Sequence, residues 1–262
     1  MFNKITITKR QKFVASTLIL STGLLIVQLA NISWRYQAIA ILVLLTYFLS
    51  GWSLREGLSG IEWLTVLILP VLFTAGIGLF YFLIPARWLT RLPVIALYGL
   101  GFYALMLIEN IFSVAAIRTI QLLRSAQTVG FLLTLMTSFF LFDTVLSYRF
   151  GPWLNFFLVF LASFPLVLQG LWYINLEEKI SKKIWLYTTV LSLVLAEFGL
   201  AFSFWPVNVA VGSLALTTVA YLTLGLTQHK LGERLFPKTI REYLISGILV
   251  LLIIFLTTRW GG

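Results

Sequence analysis

A chain of 262 residues that is 60% hydrophobic and 11% charged, with a mean hydropathy of +0.99, lies far from the composition of water-soluble domains, in which about a quarter of residues are charged. Its net charge of +10 does not point to nucleic acid, because Lys and Arg flank apolar runs and form no basic stripe on a polar domain. The absence of cysteine excludes disulfides, thiolate metal sites and a cysteine nucleophile.

The first apolar run, Phe13 to Ala30, follows a basic segment holding Lys4, Lys9, Arg10 and Lys12. It reads as a retained first span. It is longer than a secretory signal core, and Gln28-Leu29-Ala30 lacks a small residue at the first position of a cleavage site. Further runs of spanning length cover Tyr36 to Leu54, Ile61 to Ile84, Leu92 to Ile117, Thr128 to Tyr148, Trp153 to Asn175, Ile184 to Phe204, Val207 to Thr227 and a short Tyr243 to Leu256. The connections are too short for a folded extramembrane domain, so residues 1–262 are expected to form one all-α, polytopic transmembrane bundle of about nine spans.

Pro70 and Pro165 interrupt the third and sixth spans, whereas Pro85, Pro93, Pro152, Pro206 and Pro237 fall at or near span ends. Spans three and six share Pro followed by Gly and aromatics. Spans four and seven share Leu-Tyr followed about three turns later by Glu109 or Glu197. These echoes suggest an inverted three-helix repeat of the kind used by transporters, although the spacings do not register. All nine Trp residues lie within a few residues of a predicted span end, as expected of an interfacial belt.

Three acids fall within spans: Glu109, Asp143 and Glu197. At 1.5 Å per residue, Glu109 lies about 12 Å from the inner end of its span, Glu197 about 10 Å and Asp143 about 8 Å from the outer ends of theirs. A carboxyl so placed costs about 2.5–3.5 kcal/mol on insertion scales, which makes each a candidate site residue. Glu109, Asn110 and Glu197 are therefore expected to line a central polar site that binds or translocates a small or lipid-like molecule. In the seventh span Thr188, Ser192, Gly199 and Ser203 recur at helical spacing and form a seam for close helix contact, with Glu197 roughly opposite. The predicted outer loops carry Arg and no Lys, and Arg87, Arg91 and Arg149, with Asp143 beneath them, form a second candidate site for an anionic lipid headgroup.

No metal or cofactor is expected. The sole histidine, His229, sits at a helix end, and the chain has no HExxH, Walker, GxSxG or GxGxxG pattern. The favoured reading is a transporter-like, prokaryotic protein of the cell (plasma or inner) membrane, with the lipid bilayer as its partner and no nucleic acid. The alternatives are a non-catalytic scaffold or complex subunit and, less favoured, a lipid-modifying enzyme using the outer arginines and Asp143.

Fourteen of the 19 Lys and Arg residues fall on the side of the N-terminus, while Arg35, Arg87, Arg91, Arg149 and Arg259 fall on the other. The cytoplasmic side of short-loop membrane proteins is the cation-rich one, so the N-terminus is expected inside and, after nine spans, the C-terminus outside. A reporter fused after Gly262 should respond as extracytoplasmic; a cytoplasmic response means that a span was miscounted or that the ninth run does not cross.

Overall fold

The computed structural model describes residues 8–29, 32–84, 88–116 and 121–258. Among them are nine α-helices: α1 (Lys9–Leu29), α2 (Arg35–Leu54), α3 (Glu62–Tyr81), α4 (Trp88–Ala115), α5 (Leu123–Ser147), α6 (Pro152–Asn175), α7 (Lys182–Ser203), α8 (Val209–Leu231) and α9 (Pro237–Thr257). One 3₁₀ turn, Ile32–Trp34, precedes α2. Each of the nine is long and apolar enough to cross a membrane.

Helix boundaries differ from the apolar runs where polar residues extend a helix. α9 begins at Pro237, six residues before the run that marks it, because proline at the first helical position costs no hydrogen bond and fixes a helical φ. Its polar first turns include the Lys238–Glu242 pair at 3.9 Å, one turn apart. The ninth helix, expected to be short, thus reaches 21 residues. α4 starts at Trp88, which puts Pro93 in its second turn and not at its edge. Pro70 and Pro165 lie inside α3 and α6, as expected. Side-chain caps start two of the helices: the Ser181 hydroxyl accepts from Ile184 N (3.4 Å) at α7, and Asn208 Oδ1 accepts from Ala210 N (3.2 Å) at α8.

The chain divides into two compact units, Met1–Ala126 and Gln127–Gly262. In the first, α1 to α4 meet where glycines and hydroxyls remove bulk. A β-carbon on Gly23 would stand 2.7 Å from Leu42 Cδ1, and one on Gly101 would stand 2.7 Å from Phe73 Cζ. Ser16 and Ser53 hydroxyls join α1 to α2 at 2.8 Å. Between α2, α3 and α4 runs a buried chain in which Thr46 Oγ1 lies 3.3 Å from Thr74 Oγ1 and Thr74 Oγ1 lies 3.0 Å from the Tyr98 hydroxyl. The Tyr98 ring stacks on Phe73 with centroids 5.8 Å apart. Tyr98, Thr74 and Thr46 have no exposed surface, so these hydroxyls have only one another and helix carbonyls as partners.

The second unit has α6 and α7 antiparallel: Asn155 Nδ2 donates to Ser203 Oγ (2.9 Å), and one turn further in a β-carbon on Gly199 would lie 2.9 Å from Val159 Cγ2. The α7 seam is confirmed, with Thr188, Ser192 and Gly199 buried and Ser203 half-buried. α8 joins α6 through Gln228 Nε2, which donates to Gly170 O and to the Tyr173 hydroxyl, each at 2.8 Å. Gln127, at the start of α5, donates to Tyr173 O (3.0 Å) and Ile174 O (3.3 Å) at the end of α6. α9 rests on α8 where Gly225 faces the Tyr243 ring and Gly247 faces Leu222. Beyond its polar first turns, most of its exposed side chains are apolar, Leu256 reaching 71%.

Most exposed large side chains on the helices are Leu, Ile, Val and Phe, and the exposed Trp34, Trp63, Trp153 and Trp185 cluster at helix ends. Trp172 departs from the interfacial pattern. It is wholly buried and its indole N–H donates to Glu177 O at 3.0 Å, closing the loop after α6. The paired motifs behind the suspected repeat have unlike surroundings: Tyr98 is buried on Thr74, whereas Tyr187 is half-buried beneath Lys230, 5.4 Å from the ring centroid.

The Thr46–Thr74–Tyr98 chain yields a direct test. Thr74→Val keeps the side-chain shape and removes the bond between two neighbouring helices, so it should destabilise the protein by about 1 kcal/mol, near the upper part of the range for interhelical bonds in membranes. Reversible unfolding in mixed detergent micelles measures it.

Candidate functional site

The residues singled out by sequence fall into different environments. Glu109, in α4, has no exposed surface and is flanked along its helix by the equally buried Leu105, Met106 and Phe112. One turn on, Ser113 Oγ donates to Asn110 O at 3.1 Å and packs on the loop after α2, where a β-carbon on Gly57 would stand 2.8 Å from that hydroxyl. Asn110 is half-buried. On the same face of α4, a β-carbon on Gly99 would sit 3.0 Å from Ser21 Oγ of α1, which shows that at this height the face serves helix packing.

Glu197, in the second unit, is exposed, as are its neighbours Leu193 and Phe198. It does lie opposite the buried seam of α7, but no helix covers it. The two carboxyls therefore share neither unit nor surroundings.

Asp143 is buried in the contact between α5 and α8, where Ser213 Oγ lies 3.2 Å from Asp143 Oδ1, and it also bonds Ser147 one turn along. The Ser213 hydroxyl has one proton and a shorter contact, 2.8 Å, to Val209 O. Asp143 is thus held inside a helix contact. Arg91 is half-buried in the first turn of α4, in the first unit. Arg149, in the second unit, is exposed and takes φ 48°, the left-handed region, in the turn after α5. Arg87 lies outside the described residues.

One ionic cluster was not singled out by sequence. Glu56, after α2, accepts from Lys12 at 2.7 Å and lies 3.7 Å from Lys9. The Lys12 ammonium holds the Glu56 carboxyl below its usual range. The pair is solvent-exposed and ties the start of α1 to the α2–α3 loop.

A cavity of about 220 Å³ lies between α8 and α9, lined by Thr217, Thr218, Tyr221, Ser246 and Val250. Its residues fall near the middle of both helices, about 12–18 Å from the start of α8 and about 13–20 Å from the start of α9. Thr217 and Thr218 donate to Ser213 O and Leu214 O, each at 2.8 Å, so their hydroxyls turn only lone pairs toward the cavity. The Tyr221 ring is fixed by stacking on Tyr243 at 4.7 Å and by Phe131 at 5.9 Å. Sequence reasoning passed over these residues because hydroxyls are common in apolar helices and show no periodic signal. The legible cue was the glycine pair Gly225 and Gly247, which brings α8 and α9 together beside the cavity.

Among the described residues no three His, Asp or Glu side chains gather as a metal site would require.

Among the described residues, nine helices fit to cross a bilayer, apolar outward faces and hydroxyl-bonded interiors define the class: a multi-pass helical protein of membrane type. Within that class, residues 16–257 match the DUF5656 family, described as a protein of unknown function, and the chain belongs to that family. No curated protein and no solved structure matches it.

The contact at Asp143 can be checked by substitution. Asp143→Asn retains an acceptor for Ser213 and should leave stability unchanged. Asp143→Leu should cost about 1 kcal/mol and no more, since Ser213 keeps its bond to Val209 O. A larger loss in the unfolding assay would mean that the carboxylate does more than join α5 to α8.

Proposed function

We propose that the protein is a multi-pass protein of the cell membrane, N-terminus inside and C-terminus outside, which holds a lipid-like molecule in the cavity between α8 and α9. The observation that carries this reading is the cavity itself. Its volume, about 220 Å³, is below the roughly 300–1,000 Å³ of drug-sized sites, yet suits a segment of an acyl or isoprenoid chain. The walls combine Val250 and the Tyr221 ring with oxygen atoms from Thr217, Thr218 and Ser246, so an apolar body bearing a hydroxyl matches the lining. Ser246 is exposed, so a ligand reaches the cavity sideways from the surrounding lipid. The orientation rests on the cation asymmetry of the loops.

Glu109 and Glu197 are not needed for this reading, and no reaction is assigned. A purely structural role as a membrane subunit is the second reading. It is favoured by the number of buried polar groups already committed to helix contacts: Ser16 with Ser53, Thr74 with Tyr98, Asn155 with Ser203, and Gln228 with Tyr173.

The experiment compares molecules that co-purify with the wild type and with Ser246→Leu, in which a larger side chain fills the cavity from α9. Mass spectrometry of the intact protein released from detergent should find a bound amphipathic molecule on the wild type and its loss from Ser246→Leu at unchanged thermal stability. Equal retention by both proteins, or none by either, leaves the structural reading.

A further inference from the structure

At the end of the first unit where α1 and α3 finish and α2 and α4 begin, two buried side chains are left without partners. The Gln28 side chain, in α1, is 7% exposed, and neither its Nε2 nor its Oε1 is hydrogen-bonded. Tyr81, the last residue of α3, is 2% exposed and its hydroxyl is likewise unpaired. A Ser or Thr hydroxyl in a helix can turn back to a carbonyl one turn earlier. A primary amide and a phenol hydroxyl reach away from their own helix, so buried ones call for a partner from elsewhere.

Helix register brings two arginines to the same level. Thr74 of α3 bonds Tyr98 of α4, and seven residues further along each helix in the same direction stand Tyr81 and Arg91. Seven residues are about two turns, or about 10.5 Å, and return a helix to nearly the same face. Arg91 thus continues the inward stripe of α4 on which Tyr98, Phe102 and Leu105 have no exposed surface. Gly99 of α4 packs on Ser21 of α1, and the same step leads to Gln28 and to Leu92, the neighbour of Arg91. On α2, Ile39 packs on Gly78, and one turn before it the Arg35 guanidinium lies 5.1 Å from the Phe82 ring centroid, next to Tyr81. Arg35 and Arg91 are both half-buried, and Arg35 Nε is enclosed without a hydrogen-bond partner.

The first unit has no acid to answer these charges. Its carboxyls are Glu56 and Glu62, at the opposite ends of α2 and α3, and Glu109, about 27 Å along α4 from Arg91. We infer that Gln28, Arg35, Tyr81 and Arg91 hold a phosphate group, carried by a phospholipid or as free phosphate. Donors come from four helices, which suits a tetrahedral anion with oxygens on several sides better than a flat carboxylate, and guanidinium forks match phosphate oxygens. Each of the four residues lies in the first or last turn of its helix, the level at which headgroups meet helices of spanning length.

The test uses the full-length protein in dodecyl maltoside, a detergent with neither charge nor phosphate. Native mass spectrometry should show one dioctanoyl phosphatidic acid bound and no dioctanoylglycerol, which assigns a lipid headgroup. Retention of radiolabelled inorganic phosphate in equilibrium dialysis, with no preference for the lipid, assigns free phosphate. Tyr81→Phe, Gln28→Leu and Arg35→Gln should each weaken binding about tenfold, the scale of one hydrogen bond to a charged group. Arg55→Gln, the same charge change at the other end of α2, should leave binding unchanged. Without phosphate, Tyr81→Phe and Gln28→Leu should melt no lower than the wild type, because neither group has a bond inside the chain to lose. Retention of neither phosphate probe, equal losses from Arg35→Gln and Arg55→Gln, or full binding by Tyr81→Phe and Gln28→Leu each overturns the inference. A lowered melting temperature in both of those variants does so too, since it marks structural contacts. All the readouts concern the first unit and are independent of ligand retention in the α8–α9 cavity of the second.

Discussion

The structure depends on one constraint: in helices surrounded by apolar material, a polar side chain must find its partner inside the protein. Backbone groups are satisfied within each helix, and apolar side chains gain little by leaving lipid for one another. What remains to choose helix neighbours is close approach at small residues and hydrogen bonds between hydroxyls, amides and carboxyls. Both units use these means. In the first, Gly101 admits the Phe73 ring, and the hydroxyls of Thr74 and Tyr98 meet beside it. In the second, Gly199 admits Val159 and Asn155 reaches Ser203 one turn away. In each case a small residue and a polar bond lie within about one turn of each other, so shape and chemistry specify the same pairing.

The existence, number and approximate position of the helices were legible in the sequence, because spanning length and apolar composition leave few alternatives for a run such as Ile61 to Ile84. Ends were less legible. Apolarity marks where a helix meets lipid and not where it starts, so the polar turns from Pro237 to Glu242 were missed. Trp172 misled for a related reason: being near a span end is compatible with an interfacial anchor and also with an indole turned inward to bond a loop carbonyl.

The candidate site was much less legible. Helices α4 and α7 are apolar around their circumference, so the usual contrast between a polar and an apolar face does not say which side is buried. Glu109 and Glu197 are alike in sequence context and about equally deep, yet one has no exposed surface and the other looks outward. Only the small-residue seam of α7 carried orientation. It located the buried side correctly, and with it the opposite position of Glu197. The glycine pair Gly225 and Gly247 marks where α8 and α9 meet, but no residue lining the cavity beside it, Thr217 and Ser246 included, is unusual in an apolar helix.

The contrast between the two glutamates bears on what intramembrane acids can do. A carboxyl enclosed like Glu109 is a fixed part of its unit, and a ligand could reach it only if α4 moved relative to its neighbours. A carboxyl exposed like Glu197 costs nothing to approach, and its energy is governed by whatever lies against α7. Burial therefore makes Glu109 part of the packing of the first unit, whereas exposure leaves Glu197 outside the packing of the second.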